Sequence, residues 1–191
     1  MTSALNVTAL LQRAAQGDRD AFDQAFALIH RELEGIARAR LRHEADGHTL
    51  DTGALVNESY LRLGQGSVPS VQSRSHFFAI ASTAMRRILV EHARRAFAGK
   101  RGGEAKRVPL ESIDVPIDAY DDERVVDLDE ALQRLASFDA RQAQVVECRF
   151  FGGLTEEETA DALSIGLRTV KRDWAKARSW LFRELHGDGA A

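Results

Sequence analysis

The segment GLTEEETADALSIGLRTVKRDWAKARSWLFREL, residues 153–185, has the pattern of two short helices separated by a tight turn. Thr155 and Glu158 form a T-x-x-E capping box, which predicts that the first helix begins at Thr155. Residues 164–166 interrupt the apolar period and predict the turn. Apolar residues then recur every three or four positions, at Val170, Trp174, Ala177, Leu181 and Leu185. The segment therefore predicts a helix-turn-helix.

Cations cluster on the second of these helices. They are Arg168, Lys171, Arg172, Lys176, Arg178 and Arg183, and Asp173 is the one acidic residue among them. A basic helix after a short turn fits the DNA major groove, where Arg and Lys pair with guanine or phosphate. The alternative is a solvated charged face on an ordinary helical pair. The capped first helix, the short turn and the basic second helix together favour DNA binding.

Composition favours a helical protein. Three prolines interrupt 191 residues, long stretches have a 3.6-residue apolar period, and no run of alternating β-branched residues occurs. The single cysteine, Cys148, lies in an apolar stretch, and we interpret it as a buried structural thiol in a reducing compartment. No stretch has the length and apolar character of a membrane span or signal peptide, so we expect a soluble, cytoplasmic protein.

The net charge of −3 is unusual for a protein that holds DNA alone. Affinity for DNA depends on the cations that face phosphate. Either the DNA contacts are confined to local basic surfaces, or a partner supplies the remaining affinity for DNA.

A segment without helical period, residues 99–126, divides the chain. It has two of the three prolines and three of the fourteen glycines, with its basic residues early and its acidic residues late. Such a composition is typical of a linker. We therefore predict an all-α fold in which two small helical domains, residues 1–98 and 127–191, are joined by a flexible linker. The C-terminal domain would be a helix-turn-helix, similar to winged-helix domains but without a wing.

Four helices are predicted before the linker. The first two span residues 8–16 and 20–42 and are separated at Gly17 and Asp18. A third spans residues 52–63. Ser75 is the predicted cap of a long fourth helix, HFFAIASTAMRRILVEHARRAFAGK, which begins at His76.

A second basic surface begins on the fourth helix. Eight cations lie between residues 86 and 107, namely Arg86, Arg87, Arg94, Arg95, Lys100, Arg101, Lys106 and Arg107. His92 and Phe97 lie among them, and cations mixed with rings are typical of surfaces that hold unstacked bases. The alternatives are equally open: Phe97 as a core or linker anchor, and His92 as a surface hydrogen-bonding group.

Five motifs in order resemble the sigma factors of bacterial RNA polymerase, in the sigma-70 family, of the extracytoplasmic-function (ECF) type. They are GDRDAF (17–22), TLDTGALVNESYLRL (49–63), HFFAIASTAMRRILVEHARR (76–95), DARQAQVVECRFFGGLTEEETADAL (139–163) and TVKRDWAKARSWL (169–181). The resemblance spans nearly the whole chain.

The resemblance implies a role for each half of the chain. Residues 1–98 would be sigma domain 2, which binds core polymerase and recognises and melts the minus-10 element, and residues 127–191 would be sigma domain 4, which reads the minus-35 duplex. The implied minus-35 contacts are Arg168, Thr169, Lys171, Arg172 and Lys176. The implied minus-10 contacts are Arg86, Arg87, His92, Arg94 and Arg95, and the loop at 65–75 would shape a pocket for a flipped base.

The resemblance also implies partners. The clamp helices of the largest polymerase subunit would bind Leu55, Asn57, Glu58, Leu61 and Arg62. The flap of the second-largest subunit, promoter DNA and an anti-sigma factor would complete the set, with no cofactor.

Two other classes of protein were weighed. A stand-alone helix-turn-helix regulator is the alternative, and the acidic net charge and the second basic helix both argue against it. A nucleic-acid enzyme would need catalytic or metal-binding residues, and the six histidines show no ligand spacing, nor is there a P-loop or nucleophile elbow. We therefore predict that the protein is not an enzyme.

Overall fold

The computed structural model describes residues 2–41, 51–64, 71, 73–99 and 122–186. Within these ranges the chain forms helices and no strand, which confirms the all-α prediction. The helices are α1 (Thr2–Ala15), α2 (Arg19–Leu41), α3 (Thr52–Gly64), α4 (Arg74–Gly99), α5 (Asp122–Phe138), α6 (Ala140–Val146), a π-helical turn (Glu147–Phe151), α7 (Glu156–Leu163) and α8 (Leu167–His186).

The break between α1 and α2 lies where the sequence predicted it. Gly17 has a positive φ of 98°, a conformation that glycine adopts at little cost. Asp18 then caps α2, because its Oδ1 accepts a hydrogen bond from Ala21 N at 3.0 Å. Helix α1 begins six residues earlier than predicted, at Thr2.

The predicted cap of the long helix α4 was wrong by two residues. Ser73, not Ser75, accepts a hydrogen bond from the backbone N–H of His76, at 3.2 Å. The helix begins at Arg74, so Ser75 already lies inside its first turn. Both serines fit the capping preference, and the sequence alone did not separate them.

Helix α5 begins inside the predicted linker. Its first residue is Asp122, and Val125 already packs partly against the core. Acidic residues at 122 and 123 favour a helix start because they oppose the positive end of the helix dipole. The rest of the predicted linker, residues 100–121, lies outside the described residues.

One apolar core runs through both halves of the described chain. It includes Phe22 of α2, Ile88 of α4 and Leu132 of α5, all fully buried. Helix α4 lies at the centre of this core, because it packs against α1 and α3 of the N-terminal half and against α5, the π-helical turn and α7 of the C-terminal half. The two predicted domains therefore meet directly along α4.

Cys148 lies in the π-helical turn and is buried, as the sequence predicted. Burial raises the pKa of its thiol to about 12, and the nearby negative charge of Glu147 adds to this. A thiol with so high a pKa is a packing group rather than a nucleophile.

Candidate nucleic-acid interface

The helix-turn-helix forms as predicted. Thr155 Oγ1 accepts a hydrogen bond from Glu158 N at 3.1 Å, and Thr155 N donates to Glu158 Oε2 at 2.9 Å. Both halves of the capping box are therefore present at the start of α7. The turn to α8 passes through Ser164, which has left-handed backbone angles of φ 53° and ψ 42°.

Ser164 stores conformational strain in this turn. A left-handed conformation costs an L-residue about 1–2 kcal/mol, and glycine avoids that cost but loses more entropy on folding. We expect Ser164→Gly to raise the free energy of unfolding by about 0.5–1 kcal/mol, measured by urea denaturation.

Ser164→Ala is the matched control, because alanine keeps the Cβ that makes the conformation unfavourable. It should be no more stable than the wild type. A Ser164→Gly protein that is less stable than Ser164→Ala would contradict the assignment of strain to this residue.

The predicted DNA-binding cations of α8 lie on the surface. Arg168, Lys171, Arg172 and Lys176 are exposed, and Thr169 is half-buried. Lys171 Nζ lies 3.6 Å from Glu156 Oε2 of α7. A surface ion pair of this kind contributes little to stability, so Lys171 can leave Glu156 to bind phosphate. The apolar stripe packs inward as predicted, with Val170, Ala177 and Leu181 buried. The helix thus turns its cations away from the core.

A buried carboxylate lies within this basic face. Asp173 is 1% exposed, and it accepts hydrogen bonds from Arg141 Nε at 2.6 Å and from Arg172 Nε at 3.1 Å. Burial alone would raise the pKa of Asp173, but these two hydrogen bonds and the two positive charges outweigh it and hold the pKa below its ordinary value. The carboxylate therefore stays charged and fixes both guanidinium groups.

Arg141 was missed by the sequence analysis. It lies in the first turn of α6, where Asp139 Oδ1 caps the helix by accepting from Gln142 N at 3.0 Å. The pattern Asp-x-x-Gln at 139–142 marks this helix start in the sequence. Nothing in the sequence indicates that Arg141 pairs with Asp173, which lies 32 positions further along the chain. The structure thus adds a fifth cation beside the four exposed ones.

Arg149 and Trp174 join the π-helical turn to α8. The Arg149 guanidinium lies 5.3 Å from the centre of the Trp174 ring, a cation–π distance. Arg149 Nη1 also donates to the carbonyl of Leu154 at 3.0 Å, just before α7. These contacts fix the segment before the helix-turn-helix against its second helix.

On α4, Arg86 is held inside the protein and not at the surface. Its side chain is 13% exposed, and its Nη2 lies 2.7 Å from Asp129 Oδ1 of α5. It also pairs with Glu147 of the π-helical turn. Carboxylates from the other half of the chain hold its guanidinium in this conformation, and Arg86 as a minus-10 contact stays a prediction.

The other predicted minus-10 residues are more accessible. Arg87, Arg94 and Arg95 are exposed, and His92 is half-buried. Arg94 Nη2 donates to Asp129 Oδ2 at 3.2 Å, and Arg95 Nε donates to the carbonyl of Glu91 at 3.2 Å. The remaining cations of this surface, Lys100, Arg101, Lys106 and Arg107, and positions 65–70 and 72 of the predicted loop lie outside the described residues.

Helix α3 presents four of its five predicted polymerase-binding residues. Leu55 is fully buried, so its prediction as a docking contact is wrong: the side chain packs into the core and supports the helix from within. Asn57 is exposed, and Leu61 is an exposed large apolar side chain, 51% accessible.

Glu58 and Arg62 form a surface ion-pair chain with Glu91 of α4. Arg62 Nη2 lies 2.9 Å from Glu58 Oε1 and 2.5 Å from Glu91 Oε2. The hydrogen bond to Glu91 raises the pKa of Arg62, and the same bond lowers the pKa of Glu91. The ion pair between Arg62 and Glu91 joins α3 to α4 beside exposed Asn57 and Leu61.

A family model described as "ECF sigma factor" matches residues 4–187 of the chain. The chain belongs to the ECF sigma factor family. The match covers both basic helices and the helix-turn-helix together. The family is one of transcription regulators, which agrees with a role in transcription initiation.

A solved structure is also similar to this sigma factor, "Structure of CnrH in complex with the cytosolic domain of CnrY". The identity is 19%, the TM-score is 0.43, and the alignment covers 96% of this chain and 99% of that one. No curated protein matches the sequence. In the part of the chain that the structure describes, none of the helices is long and apolar enough to cross a membrane.

The two basic helices of this sigma factor therefore differ in availability. The α8 cations point outward around the buried Asp173. On α4, by contrast, Arg86 forms ion pairs with α5 and with the π-helical turn. In this conformation the cations of α8 are more exposed than Arg86 of α4.

Proposed function

We propose that this sigma factor binds core RNA polymerase and directs it to promoters, with α8 in the major groove of the minus-35 element and α4 on the melted minus-10 strand. The observation that supports it most is the exposed row of α8 cations, in which buried Asp173 holds Arg172 and also Arg141 of α6. Fixed guanidinium groups suit base reading, which needs a defined approach to the base edge. Arg141, Arg168, Lys171, Arg172 and Lys176 would form the contacting set.

The net charge of −3 supports dependence on polymerase. An acidic protein is repelled by DNA at long range, so local cations give little affinity unless a partner adds contacts. The clamp helices of the largest subunit would bind α3, and the flap of the second-largest subunit would bind the C-terminal half. An anti-sigma factor would compete for these surfaces.

Leu61 should contribute to polymerase binding. It is a large apolar side chain exposed on α3, and apolar anchors supply much of the affinity of an interface. We expect Leu61→Lys to weaken binding to core polymerase by about tenfold or more, measured by fluorescence titration, with the melting temperature unchanged.

Leu28→Lys is the matched control. Leu28 is 47% exposed on α2, on the face opposite buried Phe26. The Leu28→Lys variant should bind core polymerase with the affinity of the wild type. Equal loss in both variants would show a general effect of added charge, and no loss in Leu61→Lys would remove Leu61 from the docking face.

Selection from random duplex DNA tests the proposal as a whole. The DNA is selected by this chain alone, by core polymerase alone and by the two together. We expect only the mixture to enrich two conserved elements at a fixed spacing. Enrichment of a single element by the chain alone would instead support the stand-alone regulator.

A further inference from the structure

Arg19, in the GDRDAF motif at residues 17–22, reaches from α2 to the end of α3. Gly64 is the last residue of α3. Arg19 Nη1 donates to the carbonyl of Gly64 at 2.5 Å, and Arg19 Nη2 donates to the hydroxyl oxygen of Tyr60 at 3.0 Å. One guanidinium group therefore holds two points of α3 that lie four positions apart.

The aromatic rings beside this guanidinium group hold it as well. The guanidinium carbon of Arg19 lies 5.2 Å from the centre of the Phe22 ring and 5.3 Å from the centre of the Tyr60 ring, and both are cation–π distances. The Tyr60 hydroxyl donates in turn to Asp23 Oδ1 at 2.8 Å, and Arg19 Nε lies 3.4 Å from the same oxygen. These contacts close a ring of interactions between α2 and α3.

Gly64 leaves the space that the guanidinium group fills. A β-carbon at position 64 would lie 2.6 Å from Arg19 Nη1 and 3.0 Å from Phe22 Cε1. The last four carbonyl groups of a helix have no partner within the helix, and a cation near them opposes the negative end of the helix dipole. Arg19 thus caps the C-terminal end of α3 from a neighbouring helix.

We infer that Arg19 is a positioning residue for polymerase docking, and that it acts through Leu61. This inference rests on the proposed role of α3 in binding polymerase. Tyr60 and Gly64 lie on one face of α3, because residues four apart are neighbours on a helix surface. Holding both of them fixes the rotation of the last turn, and Leu61, which is 51% exposed, lies between them.

The network contributes direction more than stability. The side chains of Arg19 and Asp23 are each 49% exposed, and exposed ion pairs add little to the free energy of unfolding. An apolar side chain that is already fixed in its binding position loses less conformational freedom when a partner binds. Arg19 therefore increases the affinity of Leu61 for its partner without touching that partner.

A double-mutant cycle on the full chain tests whether Arg19 acts through Leu61. We expect Arg19→Gln to weaken binding to core polymerase about fivefold in the wild-type background, by fluorescence titration. In a Leu61→Ala background the same change should have almost no effect, because the side chain that Arg19 positions is absent. An equal loss in both backgrounds, or no loss in either, would overturn the inference.

Arg31→Gln is the matched control. Arg31 is exposed on α2, and the variant removes the same charge from the same helix. Its affinity for core polymerase should equal that of the wild type. If Arg31→Gln weakens binding as much as Arg19→Gln, the effect belongs to net charge and the inference is wrong.

Arg19→Lys separates geometry from charge. Lysine keeps the positive charge but lacks the planar fork that reaches Gly64 and Tyr60 together. We expect the lysine variant to bind core polymerase more weakly than the wild type. Wild-type affinity in this variant would contradict the inference, because a positive charge alone would then suffice.

Hydrogen exchange of the free protein tests the positioning without polymerase. The amides of residues 61–64 should exchange about fivefold faster in Arg19→Gln than in the wild type, because the last turn of α3 opens more often without its cap. Amides of α8 are the internal control and should not change. A chain that binds core polymerase but shows unchanged exchange at 61–64 contradicts the inference alone. A chain with the expected exchange that never binds core polymerase contradicts the proposed function.

Discussion

Asp173→Ala should lower the free energy of unfolding by about 2–3 kcal/mol. Removing one partner of a fully buried ion pair costs about 3–5 kcal/mol, because the other charge is left buried without compensation. Here Arg141 and Arg172 have side chains that are 46% and 55% exposed, so water can partly replace the carboxylate and the cost is lower. Urea denaturation followed by circular dichroism measures the change.

The loss should depend on pH. Native Asp173 has a pKa below its ordinary value of 3.8, so folding favours its charged form. Its contribution to stability is present above that ordinary value and disappears as the pH falls through the lowered native pKa. The stability difference between wild type and Asp173→Asn should therefore be constant near neutral pH and shrink in acid.

Glu130→Ala is the control for this prediction, because Glu130 is an exposed acidic residue on α5. Glu130→Ala should change the free energy of unfolding by no more than about 0.5 kcal/mol. If Asp173→Ala is no less stable than Glu130→Ala, then the buried carboxylate does not organise the helix-turn-helix.

Arg172→Ala should reduce transcription initiation by about 5- to 150-fold on the best minus-35 sequence, as expected for a base-reading pair worth about 1–3 kcal/mol. The physical reason is that Asp173 holds Arg172 through Nε, so the two Nη groups of Arg172 keep a defined direction. Initiation is measured on a set of templates that differ only in the minus-35 element. The loss should be largest on the preferred element and small on the others.

Arg172→Lys distinguishes base reading from phosphate contact. Lysine keeps the charge but lacks the forked geometry, so it should restore activity only if Arg172 contacts phosphate. Arg183→Ala, an exposed cation three helical turns further along α8, is the positional control and should have little effect on preference. An equal loss with Arg172→Ala on every minus-35 variant would show that Arg172 reads no base.

Local features of the fold were predictable from the sequence because their partners lie a few positions apart. The Thr155–Glu158 box and the break at Gly17 depend on contacts within three residues, and both formed as predicted. The apolar stripe of α8 was equally clear from its period. Ser73 and Ser75 show the limit of such signals, since two residues that suit a helix cap lie only two positions apart.

The site depended on contacts that cross long stretches of chain. Asp129 and Glu147 lie 43 and 61 residues from Arg86, and no local pattern shows that they hold it. Asp173 lies among cations and was predicted only as one acid on a basic helix. Leu55 was predicted as a docking residue because it lies in the motif of the docking helix. Its apolar side chain is instead buried in the core.

The most direct test of the account is run-off transcription with purified core polymerase on a library of promoter templates. The account predicts transcripts from a defined subset of templates when this chain is added, and a lower yield of them when Leu61→Lys replaces the wild type. A wild-type chain that adds no transcript to core polymerase on any template would contradict the account.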